Sequence, residues 1–189
     1  DCLTIMGNSF GYFSNRDEDA KVLAAAANLL KPSGMIVLDL ADGSWLAEHF
    51  ERRSWEWIDA HHFVCRERSL ANDGERLISR EVITNDEKGV IADQFYAERL
   101  YTRDSIVALL RAAGFRNMRH HAGLTTKSTR NQDLGMMAHR MLLTAEAPPA
   151  AKRPKVKPRR TLSLAVLLGD PQLPDPIKRG GQFNEEDFT

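Results

Sequence analysis

Two loops carry the residues best suited to chemistry. Gly7-Asn-Ser-Phe-Gly-Tyr-Phe13 follows the short apolar run Leu3-Thr-Ile-Met6, and Asp39-Leu-Ala-Asp-Gly43 overlaps the end of a second run, Met35 to Leu40. In the first loop, Gly7 and Gly11 let backbone approach a ligand, and Asn8 and Ser9 offer hydrogen bonds. Phe10, Tyr12 and Phe13 can stack on a ligand or wall off a pocket. The same residues could form a plain strand-to-helix turn whose aromatics plug the sheet. Their position favours a ligand, because open α/β sheets bind beyond the carboxyl ends of their parallel strands. Asp42 reads as the cap of a helix starting near Ser44, whereas Asp39 is open between ligand contact and capping.

No dedicated catalytic constellation accompanies these loops. His61-His62 and His120-His121 are adjacent pairs in expected strands, so the members of each pair point to opposite faces and neither pair chelates one metal. His49 and His139 are isolated, no Cys or carboxylate stands at ligand spacing, and no metal site is expected. A general base drawn from His61, His62 or His121 is chemically possible, but solvated or packed histidine is the expected state of each. The chain has no nucleophile elbow, phosphate loop or HExxH motif.

The elements that must position the loops follow from periodicity. Ser14 and Asn15 are cap candidates ahead of Asp17 and Glu18. The helix that follows places Val22, Leu23, Ala26, Leu29 and Leu30 on one stripe. Lys31-Pro-Ser-Gly34 stops it, and Met35 to Leu40 is apolar without alternation, as in a parallel strand covered on both faces. This predicts two adjacent parallel strands joined by a right-handed helical crossover.

From Trp55 to Tyr101 the turns Ala71-Asn-Asp-Gly74 and Asn85-Asp-Glu-Lys-Gly89 separate three extended stretches, which predicts a three-stranded antiparallel meander over the carboxyl ends of those strands. Shared parity of Ile91, Phe95, Ala97 and Tyr101 predicts one buried face, and Trp45, Trp55 and Trp57 read as packing anchors for the meander, with an aromatic pocket wall as the alternative. Thr102 caps a helix bearing Ile106, Leu109, Leu110 and Ala113, closed by Gly114. Phe115 to Gly123 and Ala138 to Glu146 are expected to pair antiparallel.

Composition bounds the function. Lys+Arg and Asp+Glu are each 26 in 189 residues, which removes a strongly basic nucleic-acid binder and a highly charged disordered chain as defaults. Cys2 and Cys65 form no disulfide framework, no apolar run reaches membrane-spanning length and no signal peptide is visible, so a cytoplasmic protein is expected. Ala147 to Thr161 carries four prolines, six basic residues and no acid. It reads as an extended tether, and its basic run at 152–160 is a weak exception to the expected lack of nucleic-acid contact. An apolar run, Leu162 to Leu168, follows and ends at Gly169-Asp170. The sequence opens on DCLTIM and stops at NEEDFT, and is read as cut at both ends.

The succession DCLTIMGNSFGYF, ANLLKPSGMIVLDLAD and ERLYTRDSIVALLRAAGF resembles the C-terminal half of a class I S-adenosylmethionine-dependent methyltransferase, over residues 1 to 146. Asp1, Lys31-Pro32-Ser33-Gly34 and Ala113-Gly114-Phe115 stand at the family's strand-start, turn and helix-end positions, with Ser33 in place of a commoner glycine. The resemblance implies an α/β, Rossmann-like sheet, partial here because its N-terminal half is missing, with the meander at about 55–101 as a substrate-covering insert. It implies S-adenosylmethionine as cofactor, Gly7, Asn8, Ser9, Phe10 and Gly11 at the cofactor's methionine end, and Tyr12, Phe13, Asp39, Tyr96, Arg99 and Tyr101 toward a small-molecule N or O acceptor.

The family's glycine-rich cofactor loop and ribose-binding acid are absent, so the piece is expected to be inactive by itself. His61, His62 or Glu98 could serve as a base, with nothing selecting among them. LSLAVLLGD followed by PDPIKRGGQFNEEDF looks like the start of a D-alanine–D-alanine-ligase-like ATP-grasp domain at 162–189, linked covalently to the first. The rival readings are a nicotinamide-dependent oxidoreductase on a similar sheet and a non-catalytic binding module fused to a ligase. The LKPSG turn and the β insert favour the methyltransferase.

Overall fold

The computed structural model describes residues 1–121 and 139–149. The chain divides into two units, Asp1–Pro154 and Lys155–Thr189. The second unit, and with it the expected domain at 162–189, lies outside the described residues, as do Gly123 and all of the tether beyond Pro149.

The first sheet is built from β1 (Cys2–Ile5), β2 (Met35–Ala41), β7 (Arg116–His121) and β8 (Arg140–Glu146), in the order β1-β2-β8-β7. β1 and β2 run parallel, Cys2 opposite Met35 and Ile5 opposite Leu38, joined through α1 (Arg16–Leu29) as the apolar–amphipathic–apolar pattern predicts. β8 enters antiparallel between β2 and β7, which is the closing pair expected of the last two strands. Asn15 caps α1 by accepting from the Asp17 amide, and Leu23, Ala26, Ala27 and Leu30 join β2 in the core. Leu29 does not: it is 77% exposed. Its place on the stripe is taken by Ala27, because the helix turns Leu29 outward one residue before its cap at Leu30. α3 (Arg103–Ala112) begins in a Thr102–Ser105 capping box and buries Ile106 and Leu110.

The turn ending α1 contains one left-handed residue. The left-handed residue is Ser33 itself, at φ 61°, and Gly34 is not left-handed. Gly34 is needed for space, since a Cβ there would meet the Asp1 carboxylate and the Lys31 carbonyl. A left-handed serine is strained, so Ser33→Gly is expected to raise stability by about 0.5–1 kcal/mol after glycine's extra chain entropy is set against the relieved strain. A higher urea midpoint at unchanged slope is the measurement.

The second sheet corrects the expected meander. It has four strands rather than three, in sequential antiparallel order: β3 (Arg53–Trp57), β4 (His62–Leu70), β5 (Arg76–Asn85) and β6 (Gly89–Arg99). The unforeseen break between β3 and β4 is made by Asp59, whose Oδ1 accepts from the His61 and His62 amides. One side-chain-bonded turn does here what Asn-Asp-Gly does elsewhere. His61 therefore sits in a turn rather than a strand.

The face of β6 expected to be buried is so only toward its end, where Tyr101 is buried and Ala97 half-buried. Ile91 and Phe95 are exposed, whereas Glu98 is buried and Tyr96 half-buried. A register irregularity at Ile83/Thr84 lies on the neighbouring strand, and polar residues share the inward face, so hydrophobic parity failed for Ile91 and Phe95. Trp55 and Trp57, at 68% and 55% exposure, lie against Phe63 on the outer face instead of anchoring the sheet. Trp45 stacks between the imidazoles of His49 and His139. No described helix is long and apolar enough to cross a membrane.

Candidate active site

The two sheets meet at the carboxyl ends of β1 and β2, where the chain leaves each strand into the loops singled out above. After β2 comes α2 (Gly43–His49), capped by Asp42, whose Oδ1 accepts from the Ser44 and Trp45 amides. The Gly43 amide donates to the Tyr101 carbonyl at 3.0 Å, and the Arg99 amide donates to the Gly11 carbonyl at 2.8 Å. The end of β6 is thus stitched to both loops. The lower edge of the four-stranded sheet lies over the carboxyl ends, where a cover for a ligand belongs.

Gly7 and Asn8 form a left-handed turn at the end of β1, with φ 66° and 57°. Asp39 holds it: its Oδ2 accepts from the Gly7 amide at 3.0 Å and its backbone carbonyl accepts from the Asn8 amide at 3.0 Å. Arg140 of β8 pairs with the same carboxylate, Nε to Oδ1 at 2.7 Å. Asp39 is fully buried by these contacts, an arrangement that fixes the loop. The Asn8 side chain then reaches two ways. Its Oδ1 accepts from the Ala41 amide at 2.9 Å, and its Nδ2 donates to Glu98 Oε2 at 2.5 Å. A Cβ added to Gly7 would meet no atom within 4 Å, so space opens beside the turn.

Glu98 is the group that sequence reasoning left unselected. It is 2% exposed, and its Oε1 has no hydrogen-bond partner among the described residues. Burial pushes its carboxyl up to about 7, against the opposing pull of the Asn8 hydrogen bond and the Arg68 charge. Tyr12 lies beside it, with its ring 6.3 Å from Tyr96 and its hydroxyl within 3.4 Å of Asn8 Nδ2. Burial, then the Glu98 charge, raises the Tyr12 phenol well above its ordinary value. Burial also raises the Tyr96 phenol.

The other residues are placed as follows. Phe10 points into the core against Tyr101, ring centres 5.4 Å apart, and Ser9 Oγ donates to the Met6 carbonyl within the turn. Tyr101 donates to Asp19 at 2.7 Å, and Arg99 pairs with Asp19 while donating to the Phe13 and Ser14 carbonyls. Arg99 and Tyr101 thus clasp β6 to α1 through a fully buried acid that sequence reasoning missed. The signal was there, since Asp19 sits one turn before Leu23 on the apolar stripe of α1. Phe13 itself is exposed. His61 and His62 pair with Asp86 and Asp59 at the far end of the sheet, about 25 Å from Glu98 by strand length. Among the described residues no cluster of His, Cys, Asp and Glu could hold a metal ion.

No protein-family model matches the sequence, and no curated protein matches it either. Solved structures do. An S-adenosylmethionine-dependent methyltransferase from Clostridium acetobutylicum aligns over 78% of this chain and 58% of its own, with a TM-score of 0.59 at 16% identity. The CcbJ methyltransferase of Streptomyces caelestis aligns over 78% and 57%, with a TM-score of 0.59 at 13% identity. CalS10, an amino pentose methyltransferase from Micromonospora echinaspora, covers 77% and 57%, with a TM-score of 0.51 at 20% identity. The chain spans under three-fifths of the length of these structures. Over the shared part, this chain has the α/β, Rossmann-like fold of these methyltransferases.

Proposed function

We propose that this chain carries the acceptor side and part of the cofactor side of an S-adenosylmethionine-dependent methyltransferase acting on a small molecule at nitrogen or oxygen. One observation carries the reading. The left-handed Gly7–Asn8 turn at the carboxyl end of β1 is open beside Gly7 and joined through Asn8 to the buried Glu98 of the covering sheet.

These residues fit the methionine end of such a cofactor, because a backbone without a side chain borders free space where the crevice belongs. When bound, the cofactor supplies an electrophilic methyl on a sulfonium sulfur. The chain's own part is positional. Asp39 and Asn8 hold the turn, Tyr12 and Tyr96 form a wall, and Glu98 faces the acceptor. Alignment lowers much of the barrier to such a displacement, so no larger catalytic apparatus is required. The family's glycine-rich loop and ribose-binding acid are not among the 189 residues, and on this reading a preceding segment supplies them. On the same reading, 147–161 tethers a ligase-like domain, and the protein works in the cytoplasm.

Calorimetric titration tests the reading on the chain joined to the segment bearing the glycine-rich loop. That protein is expected to bind S-adenosylmethionine, and Gly7→Val to weaken binding about tenfold or more. Gly74→Val is the matched control: Gly74 has φ 68° against 66° at Gly7, and neither position has an atom within 4 Å of an added Cβ. Backbone strain is therefore shared and only the ligand distinguishes them. Equal affinity in the two variants, or no binding by the unmodified protein, overturns the assignment.

A further inference from the structure

We propose that Glu98 is an acceptor-binding residue and that the group it takes is a small amine in its ammonium form. The inference rests on the methyl-transfer reading for the amine's role as acceptor; the binding itself stands on geometry.

A carboxylate withdrawn from water needs hydrogen-bond partners on both oxygens, and buried acceptors nearly always have them. Oε2 of Glu98 has the Asn8 amide at 2.5 Å; Oε1, equally buried, has none among the described residues. The groups facing it are Asn8 and Tyr12 from the loop after β1 and Arg68 of β4, while Tyr96, two residues earlier on β6, lies against Tyr12. Arg68 acts on Glu98 through its charge, while its Nη1 donates to the Glu51 carbonyl and Ser54 Oγ. What Oε1 lacks is a donor, and a donor with positive charge matches a carboxylate best. An ammonium supplies both, a hydroxyl only the first, and an anion neither. Tyr12 and Tyr96 add aromatic surface of the kind that attracts cations.

The chemistry balances. An ammonium has no lone pair, so one N–H bond breaks and its proton passes to Glu98 Oε1, leaving a neutral amine and a neutral carboxyl. The amine's lone pair forms the N–C bond to the methyl carbon of a sulfonium donor. The C–S bond breaks with its electron pair on sulfur, giving a neutral thioether and a methylated ammonium. Glu98 returns its proton to water before the next turnover. A carboxyl held near 7 can make that exchange at neutral pH.

The test is carbon NMR of the full protein labelled at its glutamate carboxyl carbons, titrated with pH in excess methylammonium chloride. Matched sodium chloride and tetramethylammonium chloride are the controls. The Glu98 resonance is assigned by its loss in Glu98→Gln or, should that variant not fold, by its displacement in Tyr12→Phe. Methylammonium is expected to lower the Glu98 midpoint by about one unit, as an opposite charge in direct contact does. Tetramethylammonium can be held by the aromatic faces but has no N–H to give Oε1, so it should lower the midpoint by less than methylammonium does. No shift beyond sodium, or an equal shift with tetramethylammonium, overturns the proposal. The readout needs no methyl donor, so it remains distinct from failure to bind S-adenosylmethionine.

Discussion

From about pH 5 to about pH 8, the wild-type fold is expected to lose about 2.5 kcal/mol of stability relative to Glu98→Gln. The ordinary carboxyl value of 4.5, taken for the unfolded chain, stands against about 7 in the fold. Between those values the folded protein keeps a proton that the unfolded chain has released, so stability falls as pH rises. The contribution is complete below 4.5 and lost once pH has passed through 7. Glutamine is a neutral isostere whose Oε1 can still accept from Asn8, so it keeps the hydrogen bond without titrating. Asp59 and Asp93, whose partners lower their carboxyls, give the opposite trend, but they are common to both proteins and cancel in the difference. Urea unfolding of the pair across a pH series measures it. A constant difference would mean that water reaches the Glu98 carboxylate.

A single methyl at position 43 is expected to cost about 3 kcal/mol, the upper range for overpacking. The Cβ of Gly43→Ala would lie 2.5 Å from the Leu100 carbonyl carbon, 2.7 Å from the Tyr101 oxygen and 2.8 Å from its nitrogen. All three are backbone atoms, so no rotamer change relieves the contact. The first turn of α2 must separate from the end of β6, lengthening the 3.0 Å Gly43–Tyr101 hydrogen bond. Gly43 is not left-handed, so the demand is for space rather than for conformation. Gly74→Ala shows the contrast: it has room around it, and its left-handed φ predicts a loss of about 1 kcal/mol. Thermal unfolding of the two variants separates the effects. Comparable losses would show that the junction of the two sheets yields easily.

The parallel β1–β2 pair and its helix were legible because local signals agreed: an Asn cap, an apolar stripe and an unalternated strand. The capping box at Thr102 was legible for the same reason. The four-stranded sheet was harder. Asp59 makes a turn without glycine, and β6 buries an acid while exposing Ile91 and Phe95, so hydrophobic alternation pointed outward. That the loop of 7–11 leaves the carboxyl end of β1 was legible. What its residues bond to was not, because Asn8 finds its partners 33 and 90 residues away. Arg99 and Tyr101 were placed toward the acceptor only by the family resemblance, which carries no information about their partners in this chain. Asp19, 80 and 82 residues distant, claims both.

Position 8 shows how narrowly an amino-acid alphabet can be restricted. Its backbone is left-handed, its side-chain oxygen must accept from Ala41, and its side-chain nitrogen must donate to Glu98. Glycine satisfies the first demand and neither of the others. Aspartate tolerates the backbone and accepts, but cannot donate once ionised and would set a second negative charge against Glu98. Glutamine carries the same amide one methylene too far. Leucine of similar bulk meets none of the three. A substitution of Glu98 changes these terms at once, because it removes the need for the donor and readmits aspartate. The vocabulary permitted at residue 8 is thus written by a residue 90 positions away.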